Sequence, residues 1–148
     1  MSERIELRSE SETEQFGRDF AKGLKKGDFV AMYGDLGAGK TAFVRGMASY
    51  LVPNERVSSP TYAIVNEYVG AENTLCHFDM YRITDEDDLY SIGFYDYLDR
   101  CGICLVEWSE KIPYALPDDY IRIIIEKNDP DAPNSRSIRI ERVCEEAL

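Results

Sequence analysis

The sequence predicts a three-layer α/β domain with a mainly parallel central sheet plus antiparallel strands. Three observations carry that expectation. Short apolar runs of strand length alternate with stretches of helical periodicity. One run, DFVAMY (Asp28 to Tyr33), passes through a glycine-rich turn directly into a helical pattern. Two late runs, YIRIIIE and SIRIERV, flank a segment of Asn, Asp and Pro and read as paired strands.

Taken in order, RIELR supplies a first strand. SETEQFGRDFAKGLKKG follows as a helix, with Ser11 and Glu14 spaced as a capping box, Phe16, Phe20 and Leu24 on one face, and Gly27 as the stop. After the FVAMY strand, TAFVRGMASYL places Phe43, Met47 and Leu51 at i, i+4 and i+8, and Pro53 ends that helix. TYAIVNEYV and NTLCHFDMYR are β-rich runs separated by GAEN, a hairpin turn. TDEDDLYSIGFYDYLDRCG is acidic and helical or turn-like, and ICLVEW is a short buried strand. No internal repeat or low-complexity linker interrupts the plan.

Composition narrows the function classes. A chain of 148 residues with 44% hydrophobic content is expected to form a single domain, residues 1–148, around one core. No apolar run approaches the roughly 18 residues of a membrane span, and the charged start MSERIELRSESETEQ is unlike a signal segment. A soluble, cytoplasmic protein is the expectation. With 28 acidic and 17 basic residues, the net charge of -11 ill suits direct nucleic-acid binding, so any RNA is expected to be held by another subunit. Cys76, Cys101, Cys104 and Cys144 fit a reducing compartment in which thiols serve as packing residues. CGIC (Cys101 to Cys104) has redox or zinc spacing but no second ligand pair.

Within YGDLGAGKTAF, residues Gly34, Gly39, Lys40 and Thr41 stand in the arrangement G-x-x-x-x-G-K-[ST]. Chance alone produces this pattern in roughly one 150-residue chain in two hundred. The strand before it and the helix after it decide in favour of a phosphate-binding loop. Gly34, Gly37, Ala38 and Gly39 are small enough for successive backbone N–H groups to wrap a triphosphate. Lys40 then reaches the β and γ phosphates, the Thr41 hydroxyl takes one Mg2+ position, and the helix directs its N-terminus at the anion. A P-loop NTPase domain using a nucleoside triphosphate and Mg2+ is the expectation.

In open α/β sheets ligands sit beyond the carboxyl ends of the strands. Two runs end there in carboxylates, LCHFD at Asp79 and ICLVE at Glu107, and either can contact Mg2+, hold its water shell or orient an attacking water. Alternation puts His77 on one face with Asp79, and Ile103, Leu105 and Glu107 on one face of the other strand. The plainer alternative makes each carboxylate the first solvated residue after a buried strand. Trp108, the sole tryptophan, follows Glu107 as a core or rim aromatic. In SSPTY, Pro60 biases Ser59 toward extended backbone, and Ser59 and Thr61 offer hydroxyls where a γ-phosphate-sensing segment could act.

Together GDLGAGKT, SSPTY, HFDMYR and ICLVEW, in this order and spacing, resemble the TsaE family (formerly YjeE) of bacterial P-loop ATPases over about residues 10–126. The resemblance implies a role in tRNA threonylcarbamoyladenosine synthesis. There TsaC makes threonylcarbamoyl adenylate, TsaD transfers the threonylcarbamoyl group to adenosine beside the anticodon, and a TsaE-like subunit acts with TsaD and TsaB. That subunit hydrolyses ATP weakly alone and resets the transfer complex between turnovers. By motif, Gly37 to Thr41 would bind ATP, and Thr41 and Glu107 would belong to the Mg2+ site. Asp79 and the Ser59 to Thr61 segment would support hydrolysis, and Trp108 would help form the site or the partner surface. The segment PDAPNSRSIRIERVCEEAL carries no family motif. Other classes stay open on the residues alone. A GTPase would need an N-K-x-D motif, which is absent; a small-molecule kinase could clamp a second phosphate with Arg45, Arg82 or Arg100. A regulatory module would bind nucleotide without turnover.

Overall fold

The computed structural model describes residues 2–33, 40–54, 64–127, 131, 133 and 135–144. Its elements are β1 (Ser2–Leu7), α1 (Glu10–Ala21), β2 (Phe29–Tyr33), α2 (Lys40–Leu51), β3 (Val65–Val69), β4 (Thr74–Asp79), α3 (Glu86–Ser91), α4 (Phe94–Arg100), β5 (Ile103–Glu107), β6 (Tyr120–Lys127) and β7 (Arg136–Val143). Two 3-10 turns, Ser109–Lys111 and Pro113–Ala115, lie between β5 and β6.

The described strands join one sheet in the order β1-β7-β6-β2-β5-β4-β3. The inner strands β6, β2, β5 and β4 run parallel, as buried apolar runs should. β1, β7 and β3 pair antiparallel at the flanks. Alternation along each strand divides the core in two. Val30, Met32, Leu75 and Leu105 face Phe43, Met47 and Leu51 of α2, with Phe16 and Phe20 of α1 packed against them. Phe29, Ala31, Phe78 and Val106 face the other way, onto Leu89 of α3, Phe94 of α4 and Ile112. Each such side chain contributes about 1.5–3 kcal/mol on burial, so helices are held on both faces and the three predicted layers result.

Two local expectations change. The cap of α1 is Ser9, whose extended backbone lets its hydroxyl accept the Glu12 N–H at 3.1 Å, while Ser11 lies inside the helix. The S-x-x-E spacing occurs at both 9–12 and 11–14, and the earlier one wins because β1 has already ended at Leu7. The helix also stops at Lys22 rather than at Gly27. Residues 25–28 instead form the turn that feeds β2: Asp28 accepts the Lys25 N–H at 2.9 Å, and Gly27, at φ 97, donates to the Gly102 carbonyl at 2.5 Å.

Helix α2, which the glycine-rich turn introduces, is fixed by close approach to α1. A Cβ on Gly46 would lie 1.9 Å from the Glu14 carbonyl oxygen, and one on Gly17 would lie 2.3 Å from that of Phe43. Only glycine permits that contact. Across the seam, Arg45 reaches Glu10 at 2.7 Å and Glu14 at 3.1 Å, exposed pairs of about 1 kcal/mol or less each.

The cysteines depart from the expectation of four thiols. Cys76 and Cys101 are joined as a disulfide, their Cα atoms 6.1 Å apart, within the usual range of about 4.4–6.8 Å. The CGIC cysteines are not bonded to each other; Cys104 is a buried free thiol and Cys144 an exposed one. Burial pushes the Cys104 thiol up to about 12. No described helix is long and apolar enough to cross a membrane.

Candidate functional site

Parallel pairing puts the carboxyl ends of β2, β5 and β4 on one edge of the sheet. Helix α2 begins after β2 at that same edge, with Lys40 as its first residue. The connection carrying Gly34, Gly37, Ala38 and Gly39, and the segment carrying Ser59 and Thr61, lie outside the described residues. Lys40 is buried and Thr41 is exposed. The first turn of α2 has no acidic residue, so its positive helix end is not offset by a side chain of its own. Such an end attracts an anion.

Beside it, Asp79 and Glu107 are register partners at the ends of β4 and β5, and Met32 of β2 pairs with Glu107 from the other side. Their surroundings differ. Glu107 is buried, and its Oε2 lies 2.6 Å from Nε2 of the buried His77. Asp79 is half-buried, and its Oδ1 accepts the Tyr81 N–H at 3.0 Å, closing a turn at the strand end. A carboxylate that is merely the first solvated residue after a strand describes Asp79 better than Glu107. The Glu107 contact with His77 was not foreseen from sequence. Its signal was present: both residues have the parity of the α2 face, on strands that turn out to be neighbours.

Trp108 reverses the chain immediately after Glu107. It adopts left-handed backbone, φ 59 and ψ 41, the only described non-glycine residue at positive φ. That conformation costs roughly 1–2 kcal/mol for an L-residue and signals a constrained position. It brings the indole under Lys40, whose Nζ lies 4.7 Å from the ring centroid. A cation over tryptophan gains about 0.5–2 kcal/mol, comparable to the backbone cost. Tyr81 packs on the same indole at 5.0 Å, so the Asp79 turn supports the ring that carries Lys40. At the end of β2, burial and then neighbouring Tyr120 push the Tyr33 phenol up to about 12.

Lys40, Asp79, Glu107 and Trp108 are thus gathered at one edge, with Thr41 in the first turn beside them. Hard carboxylate and hydroxyl oxygens next to a buried amine fit Mg2+ and phosphate in donor chemistry. Of the arginines suited to a second phosphate, Arg45 is held by Glu10 and Glu14, while Arg100 pairs with Glu67 at 3.4 Å and stacks 4.2 Å from the Tyr97 ring. Arg82 is exposed.

Comparison with known proteins places these residues in a lineage. The family model described as threonylcarbamoyl adenosine biosynthesis protein TsaE matches residues 7–138. The chain is 42% identical over 125 residues to the tRNA threonylcarbamoyladenosine biosynthesis protein TsaE of Haemophilus influenzae, covering 81% of this chain and 78% of that protein. It is 37% identical over 142 residues to its Bacillus subtilis namesake, covering 91% and 87%. The crystal structure of Bacillus subtilis YdiB superposes with a TM-score of 0.75 at 31% identity, over 97% of this chain and 86% of that one. Matched along most of its length in sequence and in fold, the chain belongs to the TsaE family of tRNA threonylcarbamoyladenosine biosynthesis proteins.

Proposed function

We propose that this protein is the cytoplasmic ATPase subunit of tRNA threonylcarbamoylation. In this reading it binds ATP with Mg2+, hydrolyses it slowly alone, and acts with TsaD-like and TsaB-like proteins to reset the transfer complex between turnovers. The observation that supports this most is the convergence at one sheet edge of Lys40, opening α2, with two carboxylates ending adjacent parallel strands. Residues 34–39, outside the described residues, would wrap the phosphates together with the first N–H groups of α2, and Lys40 would leave the Trp108 face to pair with them. Thr41 and Glu107 hold the metal, and Asp79 holds its water shell or orients the attacking water. Mg2+ held by these residues would supply positive charge to offset the charge that develops during transfer. Thr61, outside the described residues, would belong to a γ-phosphate-sensing segment, as the family motif implies. Slow turnover without a partner fits the pairing of Arg45 with Glu10 and Glu14 and of Arg100 with Glu67, since phosphoryl transfer depends on charge stabilisation that a partner contact would then supply. The net charge of -11 supports a reading in which the partner proteins hold the tRNA.

Thermal unfolding tests the nucleotide assignment. At about 100 times its dissociation constant, Mg-ATP should stabilise the fold by roughly 2.7 kcal/mol, or about 5–10 °C for a domain of this size. Lys40→Ala should lose most of the shift, and GTP should give less. An equal shift in wild type and variant would refute the assignment; phosphorylation of a small acceptor would favour a kinase, and binding without turnover a regulatory module.

A further inference from the structure

We infer that His77 is a positioning residue for the metal carboxylate: its Nε2–H donates to Glu107 and holds that side chain toward the nucleotide edge of the sheet. The inference rests on the proposed Mg-ATP site. Three observations carry it. The Nε2 to Oε2 distance is 2.6 Å, a close hydrogen-bond contact between the two side chains. Both groups are withdrawn from water, His77 being 1% and Glu107 7% exposed, so neither side chain can exchange this partner for solvent. The other ring nitrogen, Nδ1, is buried and has no hydrogen-bond partner among the described residues.

The contact with Glu107 selects a tautomer. A carboxylate that accepts at Oε2 requires the imidazole to donate through Nε2. Either neutral tautomer leaves Nδ1 without a partner among the described residues, so the choice falls on the Glu107 side of the ring. The backbone makes the pairing possible. β4 and β5 are parallel neighbours, His77 is in register with Leu105, and Glu107 stands two residues further along on the same face. The imidazole thus supports the carboxylate through Oε2 and leaves Oε1 outside this bond. Hydrogen bonds of this kind orient metal carboxylates, and losing them typically costs about 10–100-fold in metal affinity.

The chain has one histidine, so its imidazole nitrogens give unambiguous NMR signals. In the nucleotide-free protein the 15N spectrum should show the Nε2–H tautomer; an Nδ1–H tautomer would overturn the inference whether or not ATP binds. The second arm measures ATP binding at increasing Mg2+. His77→Phe keeps the ring and removes the donor, and should raise the Mg2+ needed for half-maximal binding about tenfold or more. His77→Gln places an amide N–H near the Nε2 position and should restore most of it. Wild-type Mg2+ dependence in folded His77→Phe would overturn the inference while leaving the nucleotide site intact. Absence of Mg-ATP binding in the wild type would overturn the site itself. Should His77→Phe fail to fold, the glutamine variant decides: Mg2+ dependence close to wild type supports donation, and a tenfold weakening refutes it.

Discussion

Replacing Gly46 by alanine should loosen the helix that carries Lys40. The added Cβ would lie 1.9 Å from the Glu14 carbonyl oxygen, 2.8 Å from its carbon and 3.0 Å from the Arg18 nitrogen. All three obstacles are backbone of α1, so no side-chain rotation relieves them. Ordinary contact begins near 3.4 Å, and the helices must therefore separate by about 1.5 Å. Overpacking of this kind costs roughly 3 kcal/mol, at the upper end of its range because backbone must move. Alanine returns about 1 kcal/mol through helix propensity. The net loss of about 2 kcal/mol should lower Tm by about 4–8 °C in a domain of this length. Gly23→Ala is the control, since its Cβ would meet only the Phe20 oxygen at 3.7 Å. Thermal and urea unfolding followed by circular dichroism read both variants, and ATP titration should show weaker binding for Gly46→Ala because Lys40 is displaced with α2. A Gly46→Ala protein as stable as wild type would refute the close α1–α2 seam.

Further outcomes follow from the site and the thiols. Glu107→Ala should abolish hydrolysis and weaken the response to Mg2+, measured by ADP release; unaltered turnover would remove Glu107 from the metal site. Asp79→Asn keeps an acceptor for the Tyr81 N–H and should lose hydrolysis with little change in Tm, whereas Asp79→Ala should also loosen the turn; full activity in the asparagine variant would leave Asp79 a structural role only. Trp108→Ala should reduce multiple-turnover tRNA modification more than ATP binding, and unimpaired modification would return the indole to a packing role. Cys104 is raised from 9.0 to about 12, so the folded state keeps a proton that the unfolded state sheds above pH 9. Stability linked to it should be complete below pH 9 and fall between pH 9 and 12, with a shallower fall in Cys104→Ala; identical slopes would contradict this. Thiol counting of denatured, unreduced protein should find two groups, Cys104 and Cys144, and four would contradict the Cys76–Cys101 bond.

The sequence made the layers legible because parallel strands buried on both faces leave apolar runs that composition cannot disguise. FVAMY became β2 without displacement, ICLVEW became β5 except for Trp108, which turns off the strand end, and Phe43, Met47 and Leu51 fell on one buried helix face. Caps were less legible. Ser9 and Ser11 offer the same spacing to a following glutamate, and only the end of β1 decides between them. At the candidate site, the strand ends at Asp79 and Glu107 were readable because each apolar run stops at its carboxylate, while residues 34–39 of the phosphate-loop pattern lie outside the described residues. Contacts set by strand order were not. His77 meets Glu107 because β4 lies beside β5, and Tyr81 meets Trp108 because a left-handed residue turns the indole back over the sheet edge. Cys76 and Cys101 come together through the fold, and nothing in the spacing of CGIC points to that pairing.

The most direct measurement is multiple-turnover threonylcarbamoylation of tRNA by TsaD-like and TsaB-like proteins supplied with threonylcarbamoyl adenylate. Without this chain the partners should complete about one round and stop. With the wild type and ATP, modified tRNA should accumulate well beyond the amount of complex, while Lys40→Ala or a non-hydrolysable ATP analogue should hold the reaction near one round. Sustained turnover without the chain, or with Lys40→Ala in its place, would contradict the account that ATP hydrolysis at this sheet edge resets the complex.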